Sequence, residues 1–301
     1  MSSSITVLRG HRRDPAWVPA CGLTSSTRDT RVIESARRIN GGTMLKVDIL
    51  EASEIERAAA VFHRDGFVCV ANPLDEEQFA LIRSGAERVM AEQEAEFGRD
   101  KMNRGFARHS FGSQLRNWEW CILIDLPTIL PIIDAIWGSD DYTCTGAGGD
   151  YSLPGAKIQH LHSDRNADLF NDPLGRVTHH DVPAPFIVIN FTMVDFTVEN
   201  GAIRFIPGTQ RSRAPIPSLE DEPEWMRTNH LCAPANTAVI RDVRCWHGGT
   251  ANNSSMKRPM TSVGYHAPWH RAVEEKSLPR EHYDRLSARG QRLCRHIVMP
   301  A

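Results

Sequence analysis

His162 and Asp164 stand two residues apart in the segment QHLHSD, 159–164, so on an extended chain both side chains leave the same face. That face offers one nitrogen and one oxygen ligand. A second imidazole from elsewhere completes a 2-His-1-carboxylate set, which leaves three coordination positions open and suits non-haem iron(II) in the activation of dioxygen. The second imidazole is read as His247, in DVRCWHGG. The residues after it strengthen the assignment: HGGTANNSSMKR carries a turn signal at Asn252-Asn253-Ser254. A hairpin centred between Asn252 and Asn253 makes His247 and Arg258 cross-strand neighbours, about 5 Å apart at Cβ. A metal ligand beside a guanidinium suits a co-substrate that chelates metal at one end and carries a carboxylate at the other. Arg258 would hold that far carboxylate through two parallel charge-assisted hydrogen bonds, and 2-oxoglutarate has both ends.

Other histidines receive plainer readings. His160 forms a rival H-x-H with His162, and His179-His180-Asp181 is a second H-x-D. Two imidazoles without the carboxylate suit iron less well. The stretch 165–183 is polar, broken by Pro173 and Gly175, and long for a connection; it reads as a lid carrying His179, His180 and Asp181.

Positioning these groups requires strands. The segment 185–197, PFIVINFTMVDFT, alternates: Ile187, Ile189, Phe191 and Met193 share one face, Asn190 and Thr192 the other. Polar residues in so apolar a strand imply a barrel interior that holds something polar. Further strands are expected at 201–206, 237–241, 243–248 and 260–267, with turns at Gly148-Gly149, Pro154-Gly155, Asn200-Gly201 and Pro207-Gly208. The pattern is that of an antiparallel sandwich or barrel. Ahead of it, Ser53 with Glu56 and Asp75 with Gln78 are capping-box patterns that open two amphipathic helices, and Asp65-Gly66 stops the first. The stretch 120–137 reads as a buried strand and a short helix, because Asp125, Pro127, Pro131 and Asp134 bar it from crossing a bilayer. A final helix is expected over 279–297.

The same residues carry a family resemblance. The chain resembles the phytanoyl-CoA dioxygenase (PhyH-type) family of Fe(II)/2-oxoglutarate-dependent oxygenases, through DGFV at 65–68, Gln159-x-x-His162-x-Asp164, ENGAIRFIPGT at 199–209, WHGG at 246–249 and Arg258-Pro259. The resemblance implies a mainly β fold with flanking helices, the double-stranded β-helix of jelly rolls and cupins. It implies His162, Asp164 and His247 as the catalytic iron ligands and Arg258 and Gln159 as co-substrate residues, with Asn190, Thr192 and Thr250 as polar neighbours. Arg108 and His109 precede the barrel, where the family builds a wall of its substrate pocket. The intact Asp164 disfavours halogenation, since halogenating relatives replace that carboxylate. The cofactors implied are Fe(II), 2-oxoglutarate and O2. The organisation expected is an N-terminal arm, 1–50, and one oxygenase domain, 51–301, with a helical part at 51–140, a β-helix core at 141–270 and a C-terminal helix at 276–297.

Composition bounds the function. Lys and Arg number 35 against 37 Asp and Glu, with no basic stripe, which excludes a phosphate-neutralising nucleic-acid binder and speaks against a polyphosphate substrate. The 7 cysteines include no C-x-x-C pair, as reduced thiols of a cytoplasmic protein would. The arginine-rich N-terminus is read as an arm in preference to a transit peptide. The expectation is thus a cytoplasmic oxidoreductase that hydroxylates, desaturates, rearranges or endoperoxidises a small molecule such as a terpenoid or alkaloid, without nucleic-acid or membrane partners and as a homodimer by family habit. The alternatives are a hydroxylase of an acyl-CoA or free amino acid, and a non-catalytic binding barrel.

Overall fold

Ile187, Ile189 and Phe191 turn to one side of their strand and Asn190 and Thr192 to the other, and this division separates a helix-covered outer face from a partly polar interior. The computed structural model describes residues 38–39, 42–43, 47–164, 172–270 and 272–300. The expected N-terminal arm therefore lies outside the described residues apart from a few positions, as does 165–171 of the expected lid. In chain order the strands are β1 (Arg38–Ile39), β2 (Gly42–Thr43), β3 (Ile49–Leu50), β4 (Phe67–Ala71), β5 (Arg108–Ser110), β6 (Thr143–Ser152), β7 (Phe186–Thr192), β8 (Ile203–Phe205), β9 (Thr237–Asp242), β10 (His247–Gly249) and β11 (Arg258–His266). The helices are α1 (Ile55–Asp65), α2 (Glu76–Phe97), α3 (Trp118–Cys121), α4 (Leu130–Trp137), α5 (Glu224–Arg227), α6 (Arg280–Tyr283) and α7 (Ala288–Leu293).

Seven strands form one sheet in the order β3-β4-β9-β7-β11-β6-β5, and β8 pairs with β10 in a smaller one. The smaller sheet gains an isolated bridge between His162 and His247. Phe67, Cys69, Val239 and Met260 from the large sheet pack in one apolar cluster with Ile203 and Phe205 from the small one. The result is the double-stranded β-helix. On the outer face Ile187, Ile189 and Phe191 share a core with Ile82 and Val89 of α2 and Ile133 of α4. Helix α2 opens on the Asp75 and Gln78 capping box, each side chain bonded to the other's backbone N–H.

Several local expectations are corrected. Glu54, not Ser53, occupies the cap position of α1, and its side chain turns back to the Glu51 N–H. Gly148-Gly149 is no turn but the middle of β6: at Gly149, φ is 129°, and a Cβ would lie 2.1 Å from the Met260 carbonyl oxygen, so only glycine lets β6 approach β11 there. The 120–137 stretch is helical, in α3, a 3-10 turn and α4, with no strand. Residues 243–246 form the turn between sheets, so no strand spans 243–248. The C-terminal helix is two, α6 and α7, broken where Ser287 caps α7 through the Gly290 N–H. Among the described residues no helix is long and apolar enough to cross a membrane.

Candidate metal centre

His162 and His247 exchange both backbone hydrogen bonds, at 2.9 and 3.0 Å, so they are directly opposed antiparallel partners with side chains on one face. Their ring centroids lie 4.4 Å apart. The Asp164 N–H donates to the Val243 carbonyl at 3.0 Å, which keeps the chain extended for two more residues and returns the carboxylate to the same face. Asp164 Oδ1 is 3.8 Å from His162 Nε2 and 3.7 Å from His247 Nε2. One ligand atom from each of the three residues lies within 4.8 Å of the others. Among the described residues no other cluster of His, Cys, Asp and Glu meets this geometry, so neither His160 nor the His179-His180-Asp181 run competes.

Backbone carbonyls fix the tautomers. His162 Nδ1 lies 3.2 Å from the His160 oxygen, and His247 Nδ1 lies 2.9 Å from the Cys245 oxygen. Each Nδ1–H donates there, leaving the Nε2 lone pairs aimed at the shared centre. Burial lowers the pKa of both imidazoles, and the Arg241 charge adds to it, so both are neutral near pH 7. Burial alone would raise Asp164, but Arg241 and the two histidines outweigh it and hold the carboxyl well below the usual range.

Acid should therefore destabilise the metal-free protein. Burial also lowers His109 and His230, so as pH falls through the ordinary value of about 6.5 the unfolded chain takes protons that the folded chain refuses. Stability is full above that value and is lost below it, by on the order of 2 kcal/mol at pH 5 for the buried His247 alone. The expected result is a melting temperature that falls from pH 7.5 to pH 5. A flat profile would show that the imidazoles are not held neutral.

Arg258 is not the cross-strand neighbour of His247. His247 stands opposite Phe205 and His162, whereas Arg258 opens β11 opposite Ser152 of β6, in the other sheet. The turn signal failed because Asn252 serves a crossover: its side chain bonds the Met256 carbonyl and the Ser254 N–H while 250–257 passes between the sheets. The guanidinium nonetheless looks into the barrel. It is 1% exposed, its Nε donates to Ser152 Oγ at 3.2 Å, and it lies 4.8 Å over the Phe196 ring. Nη1 is buried with no hydrogen-bond partner. Burial and the neighbouring Arg108 push its pKa down to about 9. A buried cation with an unanswered donor fits an anion.

Other expected residues divide. Gln159 accepts from the Gly249 N–H through Oε1 at 3.0 Å, which leaves its amide Nε2 to donate elsewhere. Asn190 faces the interior and accepts from Arg241 Nε at 2.9 Å. The Thr192 hydroxyl bonds the Pro234 carbonyl and the Thr237 N–H, and that of Thr250 bonds the Ala202 carbonyl, so both are occupied by backbone. Arg108 stands across Ser152 from Arg258, donating to the Thr250 carbonyl at 2.7 Å. His109 turns the other way, stacked on Phe97 and bonded to the Asn103 N–H, away from the interior. Sequence reasoning missed Arg241, which bonds Asn190, and Asp150, a carboxylate opposite Met260 whose charge acts on Arg258. Their signal was parity: a charge at the inward position of TAVIRD, and another in the glycine-rich β6.

The family model for phytanoyl-CoA dioxygenase (PhyH) matches residues 62–260, well over half of the chain. The chain belongs to the PhyH family. A relative is dioxygenase andF of Emericella variicolor, 28% identical over 184 residues, a match covering 58% of this PhyH chain and 59% of andF. The chain thus spans less than two thirds of that relative's length. Of solved structures, the epimerase SnoN in complex with Fe3+, alpha ketoglutarate and nogalamycin RO is similar at a TM-score of 0.54 and 22% identity, covering 71% of this chain and 84% of SnoN. EctD from S. alaskensis with 2-oxoglutarate and 5-hydroxyectoine gives a TM-score of 0.56 at 18% identity, over 81% and 87% of the two chains. These likenesses confirm the fold of the PhyH chain as a jelly roll.

Proposed function

We propose that this protein is an Fe(II)/2-oxoglutarate-dependent dioxygenase that oxidises a small molecule of specialised metabolism, such as a terpenoid or alkaloid, in the cytoplasm. One observation carries the reading: a barrel that holds two neutral imidazoles and a carboxylate around one centre also holds a buried guanidinium whose Nη1 has no hydrogen-bond partner. His162, Asp164 and His247 would hold the iron, and Arg258 the far carboxylate of 2-oxoglutarate, with Gln159 Nε2 as a further donor. When bound, the metal and co-substrate supply the oxidation of an unactivated C–H bond by dioxygen, with decarboxylation of 2-oxoglutarate. The chain's own part is to orient the substrate and exclude water.

A cavity of about 240 Å³, lined by none of the three ligands, is the space this reading assigns to the substrate. Its lining includes Val188, Ser262 and Gly264, and the register sets Ser262 opposite Asn190 and Gly264 opposite Val188, so it continues along the inner face from the Arg241 and Asn190 pair. The names of similar proteins support oxidation chemistry on a small molecule and are silent on terpenoid against alkaloid. SnoN comes from nogalamycin biosynthesis, and andF is a dioxygenase.

The test is anaerobic titration followed by a substrate panel. The protein should bind one Fe(II) and develop a charge-transfer absorption when 2-oxoglutarate is added. Terpenoids or alkaloids should then stimulate release of succinate above the substrate-free rate. Absence of the 2-oxoglutarate-dependent absorption would overturn the activity, and stimulation by acyl-CoA or amino acids alone would overturn the substrate class.

A further inference from the structure

We infer that Arg241 is a positioning residue for the metal-binding carboxylate, holding Oδ2 of Asp164 so that Oδ1 alone faces the two imidazoles. This rests on the iron reading above. Arg241 stands on β9 opposite Val188 of β7 and Phe67 of β4, hence on the inner face with Asn190. It is 7% exposed. Nη1 forms an ion pair with Asp164 Oδ2 at 2.7 Å without the alignment of a hydrogen bond, while Nε donates to Asn190 Oδ1, so the guanidinium is anchored by Asn190 with its charge set against Oδ2. The other oxygen, Oδ1, is the one set within 3.8 Å of both Nε2 atoms.

The arrangement has an electrostatic cost. A guanidinium close to the site repels a divalent cation, and Arg241 already disfavours protonation of both histidines for the same reason. A buried positive charge beside a metal site therefore needs a compensating gain. Orientation supplies it. The Asp164 side chain is 35% exposed, so packing alone does not fix which oxygen faces the imidazoles. An unrestrained carboxylate can present either oxygen or both. A second oxygen would take one of the three positions that a bidentate keto acid and dioxygen need. Drawing Oδ2 to the guanidinium through this ion pair would keep the carboxylate from offering both oxygens and reserve those positions, as partners behind the ligands of metal sites commonly do.

The two effects have opposite signs, so substitution separates them. Arg241→Met should weaken anaerobic Fe(II) binding by about 10- to 100-fold and diminish the charge-transfer absorption formed with 2-oxoglutarate. Arg241→Lys, which keeps the charge but loses the fork, should recover part of the affinity. Asn190→Ala, which frees Nε, should weaken binding less than Arg241→Met, and it decides the matter if the methionine variant does not fold. Equal or tighter Fe(II) binding by Arg241→Met, or by Asn190→Ala where that variant must serve, would show that Arg241 acts only as a nearby charge. Failure of the unaltered protein to bind Fe(II) would instead strike the iron reading itself.

Discussion

Arg258→Met should raise the apparent KM for 2-oxoglutarate by roughly 100-fold or more while leaving Fe(II) affinity within a few-fold. A carboxylate held by this guanidinium gains two charge-assisted hydrogen bonds, each contributing about 1.5–3 kcal/mol, and every 1.4 kcal/mol is tenfold. Metal affinity should be nearly unmoved because Arg258 contacts none of His162, Asp164 and His247; it lies on the large sheet, against Ser152 and Phe196. Stability should move in the opposite direction. Without co-substrate the unaltered protein holds a charge that is 1% exposed, with a donor left unmatched, whereas methionine fills similar space with apolar atoms. The variant should thus melt at the same or a higher temperature when 2-oxoglutarate is absent. Added 2-oxoglutarate should raise the melting point of the unaltered protein and not that of the variant. Thermal melts with and without the keto acid, beside steady-state kinetics, read both arms. Parallel loss of iron and 2-oxoglutarate affinity would refute the separation of the two sites.

That separation bears on what could be read from residues alone. Parity was enough for His162 and Asp164, and for the division of β7 into an apolar and a polar face, because a period of two survives any register. It was not enough for Arg258. In a double-stranded β-helix consecutive strands lie in opposite sheets, so the partner of His247 is His162, far earlier in the chain, and local turn chemistry at Asn252 points to the wrong neighbour. Gly148 and Gly149 misled for a related reason: they look like a turn until the close approach of β11 shows why a Cβ is excluded. Arg241 was legible only as a charge at an inward parity. Its partner Asp164 comes from a different segment, and such contacts emerge only when the sheets are stacked.

The largest loss of stability should come from Glu222→Ala, at about 3–5 kcal/mol in denaturant titrations. Glu222 and Arg204 form a fork-on-fork ion pair whose two side chains are fully buried. Arg204 lies on the outward side of β8, opposite Gly248. Its Nη2 also donates to the Gln159 carbonyl at 2.5 Å, and Glu222 Oε1 accepts from the Leu161 N–H at 3.1 Å. The pair therefore clamps the backbone immediately before His162. Removing the carboxylate strands a guanidinium in the core, and 3–5 kcal/mol is a large share of the roughly 5–15 kcal/mol that holds a typical domain together. Replacing both partners with apolar residues, Arg204→Met with Glu222→Leu, removes the stranded charge and should restore much of the stability. It should not restore the metal site, because the Gln159 carbonyl and Leu161 N–H still lose their partners and the strand bearing His162 loses its clamp. Folding and Fe(II) affinity are therefore expected to part company in the double variant. Recovery of both together would mean that the ion pair only stabilises the fold and has no part in placing the ligand.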